Sequence, residues 1–97
     1  MVTIEFTPKA VEDIDNLAEY IAIQSPHFAQ KLVKSIFKEV DILKTFPFIG
    51  RIVPEIDENE VREIFYQKYR IVYHVIDQST IHIVTVQHGS RDVKNWF

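Results

Sequence analysis

The spacing of apolar residues changes near the middle of the chain, on either side of Phe46–Glu55 (FPFIGRIVPE). Before this segment, apolar residues recur every three or four positions, which is typical of helices that bury one face. From Val61 onward they alternate with polar residues, which is typical of β-strands. Two prolines and Gly50 separate the two patterns, so we expect a stiff loop in which Gly50 can adopt a positive φ. The chain is therefore predicted to have a helical part followed by a β part.

Two helix starts precede the loop, because Thr7-Pro8 and Ser25-Pro26 each combine an N-cap residue with a proline at the first helical position. The apolar stripes that follow are Ala10, Ile14, Leu17 and Ile21, then Ala29, Val33, Ile36, Val40 and Leu43. With so short a connection, the two helices are expected to form an antiparallel hairpin. Five charged residues lie off the stripe of the second helix: Lys31, Lys34, Lys38, Glu39 and Lys44. They indicate a solvated face or, as an alternative, a basic groove.

Four segments are predicted to be strands: Val2–Phe6, Val61–Tyr66, Tyr69–Ile76 and Thr80–His88. The last three follow one another with short turns, so they form an antiparallel meander in which Tyr66 faces Tyr69. The predicted fold class is α+β in the order β-α-α-β-β-β, with the helical hairpin packed on one face of a small antiparallel sheet. We expect residues 1–97 to form a single domain.

Composition excludes several kinds of partner and site. The 97 residues carry a net charge of −3, whereas domains that grip nucleic acid through its phosphates are usually basic. The chain has no cysteine, and its histidines lack the spacing of a zinc site, so we expect no metal and no cofactor. No apolar run is long enough for a membrane span and no signal peptide is recognisable, so we expect a cytoplasmic protein with no membrane partner.

The alternation within the last two strands determines which side chains face the helices. Placing the odd positions toward the helices buries the apolar and aromatic set: Tyr69, Ile71, Tyr73, Val75, Ile81, Ile83, Thr85 and Gln87. The even positions then form an open face: Arg70, Val72, His74, Ile76, His82, Val84, Val86 and His88. The opposite parity would put histidines on both faces, at a greater cost in desolvation.

The open face is predicted to gather titratable groups suited to acid–base chemistry. Glu63 and Phe65 join Arg70 on it, and Arg51 reaches its rim from the loop. Two plainer interpretations remain open. The face can be a solvated sheet surface dotted with polar residues, and Arg51 can simply pair with Glu55 or with a helix end.

Several segments resemble the RelE/ParE superfamily, the toxins of bacterial type II toxin–antitoxin modules. They are Ser25-Pro26, Phe46–Glu55, REIFYQKYRIVYHV (Arg62–Val75) and VQHGSRD (Val86–Asp92). The resemblance implies a toxin that is neutralised in a hetero-oligomer by a cognate antitoxin, whose disordered tail folds onto the toxin. We expect that antitoxin on the valine-lined open face, at Val72, His74, Val84 and Val86.

The superfamily has two branches. RelE-like members are ribosome-dependent mRNA endoribonucleases, and that branch implies catalytic roles for His88 as general acid or base, Arg70 on the scissile phosphate and Glu63 as orienter or second base. ParE-like members inhibit DNA gyrase by binding it. Predicted phosphate- or target-binding residues are Arg51, Arg70 and Arg91. The long hairpin, the acidic charge, the missing lysine-rich stretch and the glycine after His88 favour the ParE-like branch, so we expect gyrase inhibition, with mRNA cleavage as the alternative.

Overall fold

The computed structural model describes residues 2–96. Its helices are α1 (Pro8–Ala22) and α2 (Pro26–Asp41), and its strands are β1 (Thr3–Phe6), β2 (Arg51–Ile52), β3 (Val61–Tyr66), β4 (Tyr69–Val75) and β5 (Thr80–His88). Single turns of 3-10 helix lie at Ile42–Lys44 and Lys94–Trp96. Among the described residues, no helix has the length and apolar character needed to span a membrane.

Both helices begin at their sequence signals. Thr7 Oγ1 accepts a hydrogen bond from the Ala10 N–H at 3.1 Å, and Ser25 Oγ accepts one from the Phe28 N–H at 3.2 Å. A proline follows each cap residue, where its missing N–H and fixed φ suit the first turn. The predicted helix starts are therefore confirmed.

The five strands form one sheet in the order β1-β5-β4-β3-β2. Strands β3, β4 and β5 are the predicted antiparallel meander, with Tyr66 opposite Tyr69. Strand β1 joins β5 in parallel, so the sheet is mixed rather than wholly antiparallel, and the two-residue β2 extends it from within the predicted loop. The predicted fold class, a helical hairpin on one face of a small sheet, is confirmed.

The main core lies between the hairpin and the sheet. The helices and the turn after α2 contribute Ala10, Ile14, Leu32, Ile36, Val40 and Leu43, and the sheet contributes Tyr69, Ile71, Tyr73, Val75, Ile81, Ile83 and Val86. The rings of Phe6 and Phe37 meet at its margin, with their centroids 4.8 Å apart. In α2, Leu32 is buried, whereas Val33 of the predicted stripe is only half-buried.

A second apolar cluster covers part of the opposite face of the sheet: Val53, Val61, Val72 and Val93, with Ile56 packed against them. Val53 and Ile56 belong to the loop between β2 and β3, and Val93 to the segment after β5. Val72 has no exposed surface, so the predicted valine-lined ledge is wrong at this position. The covering residues lie in segments without periodic structure, which is why the strand pattern did not reveal them.

A β-bulge at Val84 shifts the register between β4 and β5. Tyr73 pairs with Ile83, but the preceding Val72 pairs with Thr85, which leaves Val84 without a partner on β4. One extra residue in a strand reverses the alternation of every residue beyond it. The predicted parity therefore holds up to Ile83 and fails in the last part of β5.

The residues beyond the bulge face the opposite way from the prediction. Val86 lies opposite Ile71 and belongs to the main core, and His88 lies opposite Tyr69. Gln87, which was predicted to face the helices, takes the open side instead. The assignment of Val86 and His88 to the open face is therefore wrong, because the alternation was assumed to be unbroken.

Position 50 requires a glycine because a side chain would not fit there, and not because of the backbone dihedral angles. Its φ is not positive, so Gly50 does not use the left-handed conformation that is open to glycine. A Cβ atom at this position would lie 2.4 Å from the main-chain oxygen of Glu63 and 2.8 Å from the Tyr73 hydroxyl. The Gly50 N–H donates to that hydroxyl at 3.0 Å. Only glycine allows the loop to pass so close to the sheet.

Candidate functional site

An ion cluster of two arginines and two glutamates lies on the open face, and Arg70 on β4 is at its centre. Arg70 Nη1 and Nη2 donate to the two carboxylate oxygens of Glu55 at 2.6 and 2.8 Å. Its Nε donates to Glu63 at 2.6 Å, and its Nη1 also donates to the main-chain oxygen of Arg91 at 2.8 Å. Only 3% of Arg70 is exposed. The guanidinium is thus held by two carboxylates of its own chain.

Glu63 connects Arg51 to this cluster. Its buried carboxylate accepts from Arg70 through one oxygen and from Arg51 Nε through the other, both at 2.6 Å. Arg51 lies opposite Glu63 in the β2–β3 pair, and its side chain is 59% exposed. The predicted placement of Glu63 beside Arg70, with Arg51 at the rim, is confirmed. The partner of Arg51 is Glu63, not Glu55 or a helix end. We refer to Arg51, Glu55, Glu63 and Arg70 as the Arg70 cluster.

Glu55 and Arg70 stabilise each other's charged forms. Hydrogen bonds from Arg70 lower the pKa of Glu55 from 4.5 to about 2, although partial desolvation acts in the other direction. The pKa of Arg70 is raised, chiefly because Glu55 and then Glu63 stabilise the guanidinium charge. The two positive and two negative charges cancel, so the cluster as a whole exerts little attraction on an approaching anion.

His88 lies away from the Arg70 cluster, on the helix side of the sheet. Its ring meets Tyr69 edge-on, with the centroids 6.4 Å apart. Its Nδ1 lies 2.7 Å from Ser90 Oγ and accepts a hydrogen bond from the Ser90 N–H at 3.2 Å. The predicted gathering of His88 with Arg70 and Glu63 is therefore wrong, and the bulge at Val84 is the reason.

Arg91 contributes to two places. Its main-chain oxygen accepts from Arg70, while its exposed side chain lines a cavity of about 330 Å³ together with Lys9, His88 and Trp96. In that cavity Lys9 Nζ lies 4.1 Å from the centroid of the Trp96 ring. The predicted target-binding side chains of Arg51 and Arg91 thus line different cavities.

The other end of the open face carries two histidines. His74 lies opposite His82, and His82 Nε2 is 3.1 Å from a glutamate oxygen of β1. Of the four residues predicted to bind an antitoxin, His74 and Val84 are partly exposed, while Val72 and Val86 are buried. Within residues 2–96, no three His, Asp or Glu side chains are grouped so that they could hold a metal ion.

Exposed apolar side chains gather beside the short edge strand β2. Ile42, Ile49 and Phe65 line an open groove of about 600 Å³, with Arg51 and Lys38 among the other lining residues. Ile49 is 56% exposed and Phe65 44% exposed. A patch of this kind on a small protein indicates a surface for another protein. We call Ile42, Ile49 and Phe65 the apolar edge.

Two residues that tie loops to the sheet were not predicted. Glu55 lies in a loop, where no periodic signal points to a partner. Arg62 Nη1 donates to the main-chain oxygen of Gly50 at 3.0 Å, and its Nε donates to that of Asn59 at 2.8 Å. The sequence does hold a signal for Arg62. It is a charged residue opposite Tyr73, at a strand position that the alternation places on the helix side of the sheet.

The sequence matches a known toxin family over most of its length. Residues 4–93 match the family model described as the ParE toxin of the type II toxin–antitoxin system parDE. The chain is also 29% identical over 92 residues to Toxin RelE2 of Caulobacter vibrioides, an alignment that covers 94% of this chain and 99% of the relative.

Two solved structures share the fold. One is the chromosomal ParDE toxin–antitoxin system from P. aeruginosa, with a TM-score of 0.73, 22% identity and coverage of 91% of this chain and 96% of that chain. The other is the RelBE2 toxin–antitoxin complex from Mycobacterium tuberculosis, with a TM-score of 0.57, 21% identity and coverage of 90% and 96%. The resemblance predicted from the sequence motifs is confirmed. With 90 of its residues inside the family match, the chain belongs to the ParE toxin family of type II toxin–antitoxin systems, within the RelE/ParE superfamily.

Proposed function

We propose that this toxin arrests growth by binding DNA gyrase, and that a cognate antitoxin neutralises it in a hetero-oligomer. The observation that carries the proposal is the Arg70 cluster, in which the guanidinium expected to bind a phosphate is 3% exposed and held by two carboxylates. The resemblance to ParE-like toxins implies gyrase as the target. The solved relatives are a ParDE system and a RelBE2 complex, which supports an antitoxin as partner.

The arrangement of the predicted catalytic residues favours binding over RNA cleavage. Attack by a 2′-hydroxyl needs a base, an acid and a cation beside the phosphate, all within reach of one another. Arg70 meets a phosphate only if Glu55 releases it, and His88 lies on the other side of the sheet. The net charge of −3 also opposes the approach of RNA at longer range.

The apolar edge is the surface that we assign to the target. Ile49 and Phe65 are large, exposed and close to a groove that a protein side chain can fill. The Arg51 guanidinium lies 5.3 Å from the centroid of the Phe65 ring, so the groove combines an aromatic ring with a cation. Aromatic residues and arginine are the side chains most enriched where proteins bind each other tightly.

A supercoiling assay run beside a translation assay tests the target. Purified toxin should prevent gyrase from supercoiling plasmid DNA, or trap cleaved DNA, and should leave translated mRNA uncut. Normal supercoiling at a large molar excess of a toxin that still arrests cells would exclude gyrase. Cuts within the codons of translated mRNA would instead establish the RelE-like alternative.

Neutralisation is tested by co-expression. The product of the reading frame adjacent to the toxin gene should restore growth to cells that express the toxin, and the two proteins should purify as one complex. The antitoxin claim fails if growth stays arrested although both proteins are made.

A further inference from the structure

A cavity of about 510 Å³ lies between the turn that joins the two helices and the turn that joins β3 to β4. Small-molecule sites usually have volumes of about 300–1,000 Å³ and combine aromatic walls with a few polar groups. Four aromatic side chains and two lysines line this one: Tyr20, Phe28, Tyr66, Tyr69, Lys31 and Lys68. We call it the aromatic cavity.

The inner part of the aromatic cavity is built on regular elements. Tyr69 and Leu32 line it and belong to the main core. Tyr66 lies opposite Tyr69 in the β3–β4 pair, and Gln67 in the turn between them has a φ of 52°, which suits a two-residue hairpin turn. A site on helices and strands holds a ligand more precisely than a site on loops alone.

Two rings at the rim of the aromatic cavity remain in contact with water. Tyr20 on α1 is 74% exposed, and Phe28 on α2 is 61% exposed. A single exposed apolar side chain is ordinary, but here each helix contributes one to the same cavity. Aromatic faces stack with other flat rings, including the bases of nucleotides. The rim therefore suits a planar aromatic ligand.

The charged side chains that line the aromatic cavity are both positive. They are Lys31 and Lys68, and no carboxylate of residues 2–96 lines it. Within the same residues neither lysine forms a salt bridge, whereas Lys9 and Lys44 each pair with an aspartate. Lys68 Nζ lies 5.8 Å from the centroid of the Tyr69 ring, which places the ammonium group at the cavity wall. In a chain with 14 acidic and 11 basic residues, such a cavity selects an anion.

We propose that the aromatic cavity binds a nucleotide, with the base stacked on Tyr20 and Phe28 and the phosphates held by Lys31 and Lys68. A nucleotide combines the two properties that the lining requires, a flat ring and several negative charges. Lysine is a common ligand of phosphate groups, to which it makes strong charge-assisted hydrogen bonds.

Two further observations fit a nucleotide. The exposed amides of Gln24 and Gln67 also line the cavity, and each offers both donors and an acceptor to the polar edge of a base. The net charge of −3 does not exclude a small anion, because charges farther away than about 8 Å are largely screened at physiological salt. The charges nearest to the ligand are those of the two lysines.

This inference goes beyond the proposed function. The aromatic cavity shares no lining residue with the groove of the apolar edge. A bound nucleotide therefore leaves the surface that we assign to gyrase open, and the two sites can be tested separately.

Isothermal titration calorimetry with four probes tests the chemistry of the site. ATP carries both a base and phosphates, adenosine lacks the phosphates, and inorganic triphosphate lacks the base. Adenosine and triphosphate should each bind at least about tenfold more weakly than ATP, because each loses one set of contacts. A single-stranded DNA hexamer is the fourth probe, since a nucleotide within a strand offers the same chemistry.

Removing the cations tests the phosphate contacts. Lys31→Ala with Lys68→Ala should weaken ATP binding at least about tenfold, since both partners of the phosphates are lost. The control Lys34→Ala with Lys94→Ala removes two exposed positive charges that do not line the cavity. It should change the affinity by less than about twofold.

Removing the rings tests the stacking. Tyr20→Ala with Phe28→Ala should weaken ATP binding at least about tenfold. The control Phe46→Ala with Phe48→Ala removes two exposed rings elsewhere and should leave the affinity unchanged. All the replaced side chains are exposed, and circular dichroism melts establish that each variant folds.

The outcomes decide both the site and the source of its ligand. Binding of the hexamer that is tighter than that of ATP, and is lost in the same cavity variants, supports the site and identifies a single strand as the source. The inference is overturned if neither ATP nor the hexamer binds at millimolar concentration, if triphosphate binds as tightly as ATP, or if cavity and control variants lose affinity equally. Normal inhibition of gyrase by a toxin that binds no nucleotide overturns this inference alone and leaves the proposed function standing.

Discussion

At the scale of single residues, the Arg70 cluster joins three segments that are distant in the sequence. Glu55 belongs to the loop after β2, Glu63 to β3, and the main-chain oxygen of Arg91 to the segment after β5. Glu55 also accepts a hydrogen bond from the Val93 N–H at 3.3 Å. A buried ion pair adds little stability compared with an apolar pair, but removing one partner is costly because the other charge stays behind. The cluster therefore holds these segments together in the folded protein.

Replacing Glu55 tests this structural role of the cluster, because the effect on stability should depend on pH. The folded-state pKa of Glu55 is about 2, below its ordinary value of 4.5, so its ionised form stabilises the fold above pH 4.5 and this contribution is lost as the pH falls toward 2. Glu55→Gln should lower the free energy of unfolding by about 2–4 kcal/mol at neutral pH. In urea titrations, the difference from the wild type should shrink steadily as the pH approaches 2. A difference in the free energy of unfolding that stays constant with pH, or an equal loss in the exposed control Glu58→Gln, would contradict this structural role.

Gly50 gives a second prediction at the same scale. Gly50→Ala places a Cβ atom 2.4 Å from the Glu63 main-chain oxygen, which cannot move without disturbing β3. We expect a loss of about 3 kcal/mol in the free energy of unfolding. Gly89→Ala is the control, since its nearest atom, the Lys68 main-chain oxygen, is 3.2 Å away and the loss should be much smaller. Equal melting temperatures for the two variants would contradict the steric account.

At the scale of elements, β1 covers only the first half of the edge of β5, because their pairing ends with Phe6 and Ile83. Beyond that point, a side chain of α1 makes the hydrogen bonds that a neighbouring strand would otherwise make. Asp13 accepts hydrogen bonds from the Val86 N–H at 3.1 Å and from the Thr85 hydroxyl. Satisfying these groups keeps the part of the edge that β1 does not cover from pairing with another chain.

Removing the Asp13 carboxylate should destabilise this edge. Asp13→Ala removes the acceptor of the Val86 N–H and of the Thr85 hydroxyl proton, although Gln87 Nε2 still donates to Thr85 Oγ1. Because the Val86 N–H is then buried without a partner, the free energy of unfolding should fall by about 3 kcal/mol. Amide exchange should accelerate at Val86 in particular. Asp15→Ala, an exposed position on the same helix, should leave both quantities nearly unchanged. Unchanged exchange at Val86 in the Asp13 variant would show that water or another group serves equally well.

The sequence predicted the elements better than it predicted the site. Helix starts, the meander and the placement of Glu63 beside Arg70 follow from local rules of capping, turns and alternation. Two local irregularities changed the site. One extra residue at Val84 turned His88 to the helix side, and an aperiodic loop brought Glu55 onto Arg70. Neither leaves a signal in the spacing of apolar residues, because each depends on contacts between distant segments.

At the scale of the whole molecule, apolar and positively charged side chains occupy different parts of the exposed surface. The apolar edge lies beside β2, and the exposed Lys31, Lys34 and Lys38 lie along α2, where Lys38 also lines the groove of the apolar edge. On the face that was predicted to be catalytic, Glu55 and Glu63 hold Arg70, and the valine cluster covers Val72. We propose that the toxin acts through its surfaces, and its effect should then be insensitive to changes at the predicted catalytic histidine.

The most direct measurement is gyrase supercoiling in the presence of two toxin variants whose folding has been verified. Ile49→Ser with Phe65→Ser should raise the concentration needed for half-inhibition at least about tenfold, because it removes the main contacts of the apolar edge. His88→Ala should inhibit gyrase, and arrest cells, like the wild type. The account is wrong, and the toxin is a nuclease, if His88→Ala lowers the toxic activity by the roughly 10²–10⁴-fold expected for loss of a general acid or base while the apolar-edge variant stays fully toxic.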